Sequence, residues 1–111
     1  MQARLAYVMK FVTDMERAVR FHRDTLGLPL KFQSPGWSEF STGDVTLALH
    51  PAREGKPAGS IELGFQIRGL EALHARGEAS GLTFSGPLRR EHGVLLAPFL
   101  DSEGALCTAS E

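Results

Sequence analysis

The chain has 111 residues, with twelve basic and thirteen acidic side chains, four histidines and a formal net charge of −1. Its hydrophobic share of 42% and charged share of 23% suit one folded domain with a single core and exclude a disordered chain. Such an even charge balance offers no electrostatic footprint for nucleic acid or an anionic membrane, and the single cysteine, Cys107, excludes an intrachain disulfide and fits a reducing cytoplasm.

The first ten residues hold no apolar core of signal-peptide length. Leu5, Tyr7, Val8, Phe11 and Val12 mark a half-buried strand over residues 3–12. Thr13-x-x-Glu16 then reads as a capping box. Behind it Met15, Ala18, Val19, His22 and Leu26 recur at helical spacing on one face. Glu16, Arg17, Arg20, Arg23 and Asp24 fall elsewhere, with Glu16 and Arg20 an i,i+4 pair. Gly27 stops this helix as a left-handed residue would.

Three short strands follow, at 29–33, 37–41 and 45–50, separated by Ser34-Pro35-Gly36 and Thr42-Gly43-Asp44, both turn chemistry. PAREGKPAGS (51–60) is polar and rich in Pro and Gly, and reads as a linker. The order then recurs: a strand at 61–67, a helix at 70–80 with Leu70, Leu73, His74 and Gly77 on one face, and Gly81 as its stop. Strands at 82–85, 94–100 and 105–110 complete the chain, with Arg89-Arg90-Glu91 in a solvated loop. The longest apolar run, Val94 to Leu100, is far short of the roughly 20 residues that span a bilayer, and the expectation is a soluble cytoplasmic protein without a membrane partner.

With an offset of 55 residues, Val12 falls on Ile67, Met15 on Leu70 and Glu16 on Glu71, and Gly27 reaches Gly81 after a one-residue slip. The chain therefore reads as an α+β domain over 1–111 built from two βαβββ modules, at 3–50 and 61–110, with 51–60 between them. One helix can cover only one face of four strands, so the other faces curve around a shared cavity or pack on something else.

The stretch FVTDMERAVRFHRDTLGL resembles the first-module signature of the vicinal oxygen chelate superfamily, which includes glyoxalase I, fosfomycin and bleomycin resistance proteins and extradiol dioxygenases. GWSEFSTGDVTLALHP is similar to the strands that follow it there, and DSEGALCTASE to the family's closing turn and last strand. The resemblance covers about residues 3 to 110 and implies the glyoxalase/bleomycin resistance fold, a curved mixed sheet around a cup. It does not choose an activity, because this fold serves lyases, transferases, dioxygenases and non-catalytic binders.

Metal-dependent relatives carry a ligand on the first strand and another on the last strand of each module. The resemblance places these four positions on Tyr7, Ala48, Glu62 and Thr108. Only Glu62 among them is a good ligand, whereas a divalent cation needs three or four imidazole and carboxylate donors. No cofactor is expected. The alternative is a divalent Zn, Ni, Mn or Fe ion held by displaced ligands, with Glu62 as anchor and His50 or Glu39 recruited.

Tyr7 and Glu62 are expected on the cup side of facing strands. There they either orient a polar ligand or act as an acid–base pair, or are simply hydrogen-bonded to each other or a neighbour. His50 shares a face with Ala48 and reads as a rim histidine. Trp37 and Glu39 face the cup as well, where a tryptophan can stack on a flat or cationic ligand, fill an empty cavity or lie in a dimer seam. His22 and His74 read as core or boundary histidines, His92 as solvated and Cys107 as a small buried hydrophobe.

The function expected is a metal-free, glyoxalase/bleomycin-resistance-like protein that binds a small organic molecule, with Tyr7, Trp37, Glu39, His50, Glu62 and Thr108 lining the pocket. By analogy with bleomycin-resistance relatives the chain forms a homodimer. The rivals are a metal-dependent lyase or dioxygenase and an interaction module whose cup is filled by its own side chains. Whether the protein catalyses a reaction is left open.

Overall fold

The computed structural model describes all residues from 1 to 111. It has a mixed α+β architecture of nine strands and two short helices, divided into two compact units, residues 6–62 and residues 1–5 with 63–111. No helix is long and apolar enough to cross a membrane.

In the first unit the strands β1 (Ala3–Val12), β2 (Leu30–Gln33), β3 (Ser38–Thr42) and β4 (Val45–Pro51) lie in the order β2-β3-β4-β1. β1 runs parallel to β4, with Phe11 beside His50, and β3 is antiparallel to both β2 and β4. The parallel pairing requires a crossover, and α1 (Met15–Arg20) supplies it. α1 begins one residue later than the capping box suggests. Asp14 is the N-cap, and its carboxylate accepts from the Arg17 N–H at 3.1 Å. β1 keeps the chain extended to Val12, and a carboxylate satisfies the positive end of a helix better than a hydroxyl.

Beyond α1 the chain widens into a π-helical turn over Phe21–Thr25. This turn shifts the helical phase, so Leu26 points outward and is 54% exposed instead of continuing the apolar stripe. Gly27, at φ +72°, reverses the chain as expected, and Leu28 returns to the core. Val19, Phe40 and Leu49 form that core, flanked by Val12, Met15, Ala18, Leu28, Leu30 and Leu47. His22 sits at its boundary, with Nδ1 2.7 Å from the Ala18 carbonyl and its ring against Phe40.

In the second unit β5 (Ile61–Ile67), β6 (Thr83–Phe84), β8 (Val94–Leu100) and β9 (Leu106–Ser110) follow the order β5-β9-β8-β6. β5 is parallel to β9, the same arrangement as β1 with β4. Arg89–Glu91, expected as a loop, is instead an extra edge strand, β7, antiparallel to β8. All three of its residues are exposed, and a charged edge of this kind resists pairing with other chains. α2 (Leu70–Arg76) ends earlier than expected, and a 3₁₀ turn over Gly77–Ser80 finishes the segment.

Gly69, at φ +73°, stands at the N-cap of α2 and has no side chain to offer. The Glu111 carboxylate accepts from the Gly69 and Leu70 N–H groups instead, at 2.8 and 2.9 Å. These two hydrogen bonds, Gly69 first, hold the Glu111 carboxyl below the ordinary glutamate range. The core here comprises Ile67, Leu70, Leu73, Ala97, Phe99, Cys107 and Ala109. Cys107 is thus the buried hydrophobe the alternation implies.

Candidate functional site

Strand alternation sorts the first unit's side chains between two faces. Val12, Phe40, Leu47 and Leu49 pack under α1, so their neighbours Phe11, Glu39, Ala48 and His50 lie on the face without a helix. Trp37, two residues before Glu39, shares it, and so does Tyr7, four residues before Phe11. Rings connect these positions. Tyr7 and Trp37 meet edge-on with centroids 6.4 Å apart, Trp37 and His50 edge-on at 6.2 Å, and His50 lies 5.3 Å from Phe11.

Trp37 is held at both ends. The turn Ser34-Pro35-Gly36 closes through Ser34 N–H to the Trp37 carbonyl at 3.0 Å, and the Ser34 hydroxyl accepts from the Trp37 N–H at 3.0 Å. Its indole Nε1 donates to Glu39 Oε2 at 3.0 Å, while Lys31 Nζ stands 3.9 Å from the other carboxylate oxygen. His50 Nδ1 lies 2.8 Å from the Pro51 carbonyl. Tyr7, Trp37, Glu39 and His50, four of the six residues expected in the pocket, therefore come together through direct contacts.

Glu62 is buried, 5% exposed, and its Oε1 lies 3.1 Å from Lys56 Nζ, itself largely enclosed. An ion pair out of water persists only when its partners face each other closely. Lys56 also lies over the Phe11 ring, 5.6 Å from its centroid, and the Arg53 guanidinium lies 5.7 Å from the same point. Phe11 thus links the Lys56–Glu62 pair to His50. Thr108 stands on β9 in the second unit, with Gly64 on one side and Pro98 on the other. A groove of about 340 Å³ in that unit is lined by Gln2, Ala3, Arg4, Gln66, Arg68 and Glu111, and holds none of the six.

Arg53 and Lys56 carry no signal in the sequence. Segment 51–60 looks like a bare linker, yet it is stitched along β1. Ala52 N–H donates to the Val12 carbonyl, Gly59 N–H to the Phe11 carbonyl, and Phe11 N–H to the Ser60 carbonyl. A lysine becomes the largely enclosed partner of a buried carboxylate only through this docking, which no local pattern announces.

The residues proposed as displaced metal ligands do not fit a divalent cation. No three His, Cys, Asp or Glu side chains are grouped so as to hold one. Glu39 is taken by the indole and Lys31, Glu62 by Lys56, and His50 Nδ1 faces the Pro51 carbonyl.

Among solved structures, a variant of methylmalonyl-CoA epimerase from Streptomyces coelicolor, in complex with 2-nitronate-propionyl-CoA, superposes with a TM-score of 0.76. It has 18% identity over 96% of this chain and 95% of that one. Methylmalonyl-CoA epimerase from Mycobacterium tuberculosis matches at 0.74 and 21% identity, over 96% and 86% of the two chains. A glyoxalase/bleomycin resistance protein/dioxygenase superfamily member from Vibrio splendidus matches at 0.69 and 15%, over 98% of each. At these identities the likeness is one of fold. No curated protein matches the sequence significantly. The paired βαβββ order agrees with a family model that spans residues 4–106, and on that match the chain belongs to the Glyoxalase/Bleomycin resistance protein/Dioxygenase superfamily.

Proposed function

We propose that the protein binds a small organic molecule without a metal, on the helix-free face of its first module, with a flat part of the ligand set against Trp37. The observation that carries this reading is the double anchoring of Trp37, whose backbone is tied by Ser34 and whose indole is tied by Glu39. A rigid aromatic group beside a few directed polar groups is the usual make-up of a small-molecule site. Proteins of this superfamily bind small organic ligands and often form dimers, which is compatible with a homodimer here. Glu39, Glu62 and His50 are engaged with their own neighbours, which supports binding without a metal.

Trp37 is the only tryptophan in the chain, so intrinsic emission reports on this face alone. A panel of flat aromatic and heteroaromatic compounds is expected to include members that quench or shift it saturably. Trp37→Leu is expected to abolish their binding in calorimetry while thermal unfolding stays cooperative. A panel with no compound binding by either method would sink the reading. Elemental analysis of protein purified without chelator tests the metal-free part, and close to one metal per chain would overturn it. Light scattering reports the dimer.

A further inference from the structure

Resting on the binding face just proposed, the choice of ligand class turns on its Phe11 end. The turn Arg53-Glu54-Gly55-Lys56 is closed by reciprocal hydrogen bonds, Arg53 N–H to the Lys56 carbonyl at 3.0 Å and Lys56 N–H to the Arg53 carbonyl at 2.9 Å. The two residues form an antiparallel bridge pair. Directly opposed residues of such a pair send their side chains to the same side. This is why both cations arrive over one ring, at 5.7 and 5.6 Å from the Phe11 centroid, where the ring's quadrupole helps to hold them.

The two cations differ in what neutralises them. Lys56 is matched by Glu62 at 3.1 Å. Arg53 is exposed and pairs with no carboxylate, and Glu54, at the tip of the same turn, pairs with no cation. Lys31 and Glu39 offset each other at the Trp37 end. Of the two cations over the Phe11 ring, Arg53 is therefore the one without a facing carboxylate, and its planar group has several N–H donors that suit a carboxylate's two oxygens. It lies beyond His50 from Trp37, because His50 touches both Trp37 and Phe11.

We infer that Arg53 makes this end of the face a subsite for a single negative charge, so that the preferred ligands are planar ring carboxylates long enough to pass His50. The ring lies at Trp37 and the carboxylate meets the guanidinium. Glu54, exposed on the same turn, repels a phosphate dianion more than a carboxylate monoanion. A neutral or cationic analogue of the same ring loses the charge-assisted hydrogen bonds.

The experiment compares four ligands on one elongated aromatic frame: biphenyl-4-carboxylate, biphenyl-4-yl phosphate, biphenyl-4-methanol and biphenyl-4-ylmethylammonium, each titrated by calorimetry into wild type and Arg53→Gln. The carboxylate is expected to bind about tenfold or more tighter than the alcohol, the scale of one charge-assisted hydrogen bond, and the ammonium weakest. Arg53→Gln is expected to bring the carboxylate-to-alcohol ratio to about one while the alcohol's own affinity and the melting temperature hold. Arg53 is exposed on a turn, so the variant keeps the fold. Equal affinities for carboxylate and alcohol in wild type would overturn the anion subsite and leave the binding face standing. A phosphate tighter than the carboxylate would overturn the assignment to a single charge. Failure of all four to bind would remove the binding face and the subsite with it.

Discussion

At matching register positions the two modules carry different side chains on the face away from their helices. Phe11 beside His50 in the first corresponds to Gln66 beside Ser110 in the second, and Glu39 beside Ala48 corresponds to Pro98 beside Thr108. At these two pairs of positions the first module puts aromatic rings and a charge where the second puts neutral groups without such rings, although Glu62 on β5 is a charge at the position that matches Tyr7 in the repeat. Their helix-side cores, by contrast, are apolar in both. The repeat therefore preserves what folds the chain, while its two copies differ in what can meet a ligand. Packing restricts the buried face to apolar groups of fitting volume, whereas the opposite face tolerates many chemistries.

The greatest loss should come from disturbing this contrast at its charged end. Lys56→Met leaves the Glu62 carboxylate enclosed without its ammonium, and is expected to cost about 3–5 kcal/mol in urea denaturation. Adding Glu62→Leu should recover most of that loss. A cost below about 1 kcal/mol would mean that other neighbours hold the Glu62 carboxylate and the pair with Lys56 is incidental.

The helix caps extend the contrast between modules. α1 is capped from within its own first turn by Asp14, α2 by Glu111 from 41 or 42 residues away. Asp14→Ala is expected to lower stability by about 1 kcal/mol, read as a lower midpoint in the same denaturation series.

Glu111→Gln tests the distant cap and should change stability least. Because the folded Glu111 carboxyl lies below its ordinary range, its stabilisation is present above that range and is lost as pH falls through the folded value. The melting temperatures of wild type and Glu111→Gln should therefore differ at neutral pH and converge in acid. A difference that persists undiminished at low pH would assign the effect to something other than the carboxylate's charge.

Much of the fold is legible in the chain because its signals are local. The apolar spacing from Met15 to His22, the turn residues at 34–36 and 42–44, and the alternation through β4 and β9 each operate within a few residues. The start of α1 is ambiguous by one position because Thr13 and Asp14 are both good caps, and only the reach of β1 to Val12 decides between them. The π-helical turn that exposes Leu26 and the edge strand at Arg89–Glu91 are hidden for a related reason. Neither has a local pattern of its own, and β7 exists because β8 offers it a partner.

The candidate site divides in the same way. Alternation along a strand is enough to put Trp37 and Glu39 on one face and His50 on the face of Ala48, because side-chain direction in a strand depends only on parity. The contacts that give the site its character join residues distant in sequence: Tyr7 to Trp37, Phe11 to His50 and the cations of the 53–56 turn to Phe11. Residue order alone sets the repeated plan, the two helix faces and the parity of each strand, all consequences of covalent geometry and short-range periodicity. It takes the folded chain to lay a segment resembling a linker along β1 and bring two cations onto one ring. Burial and charge pairing are properties of neighbours in space, and the chain acquires those neighbours only when it folds.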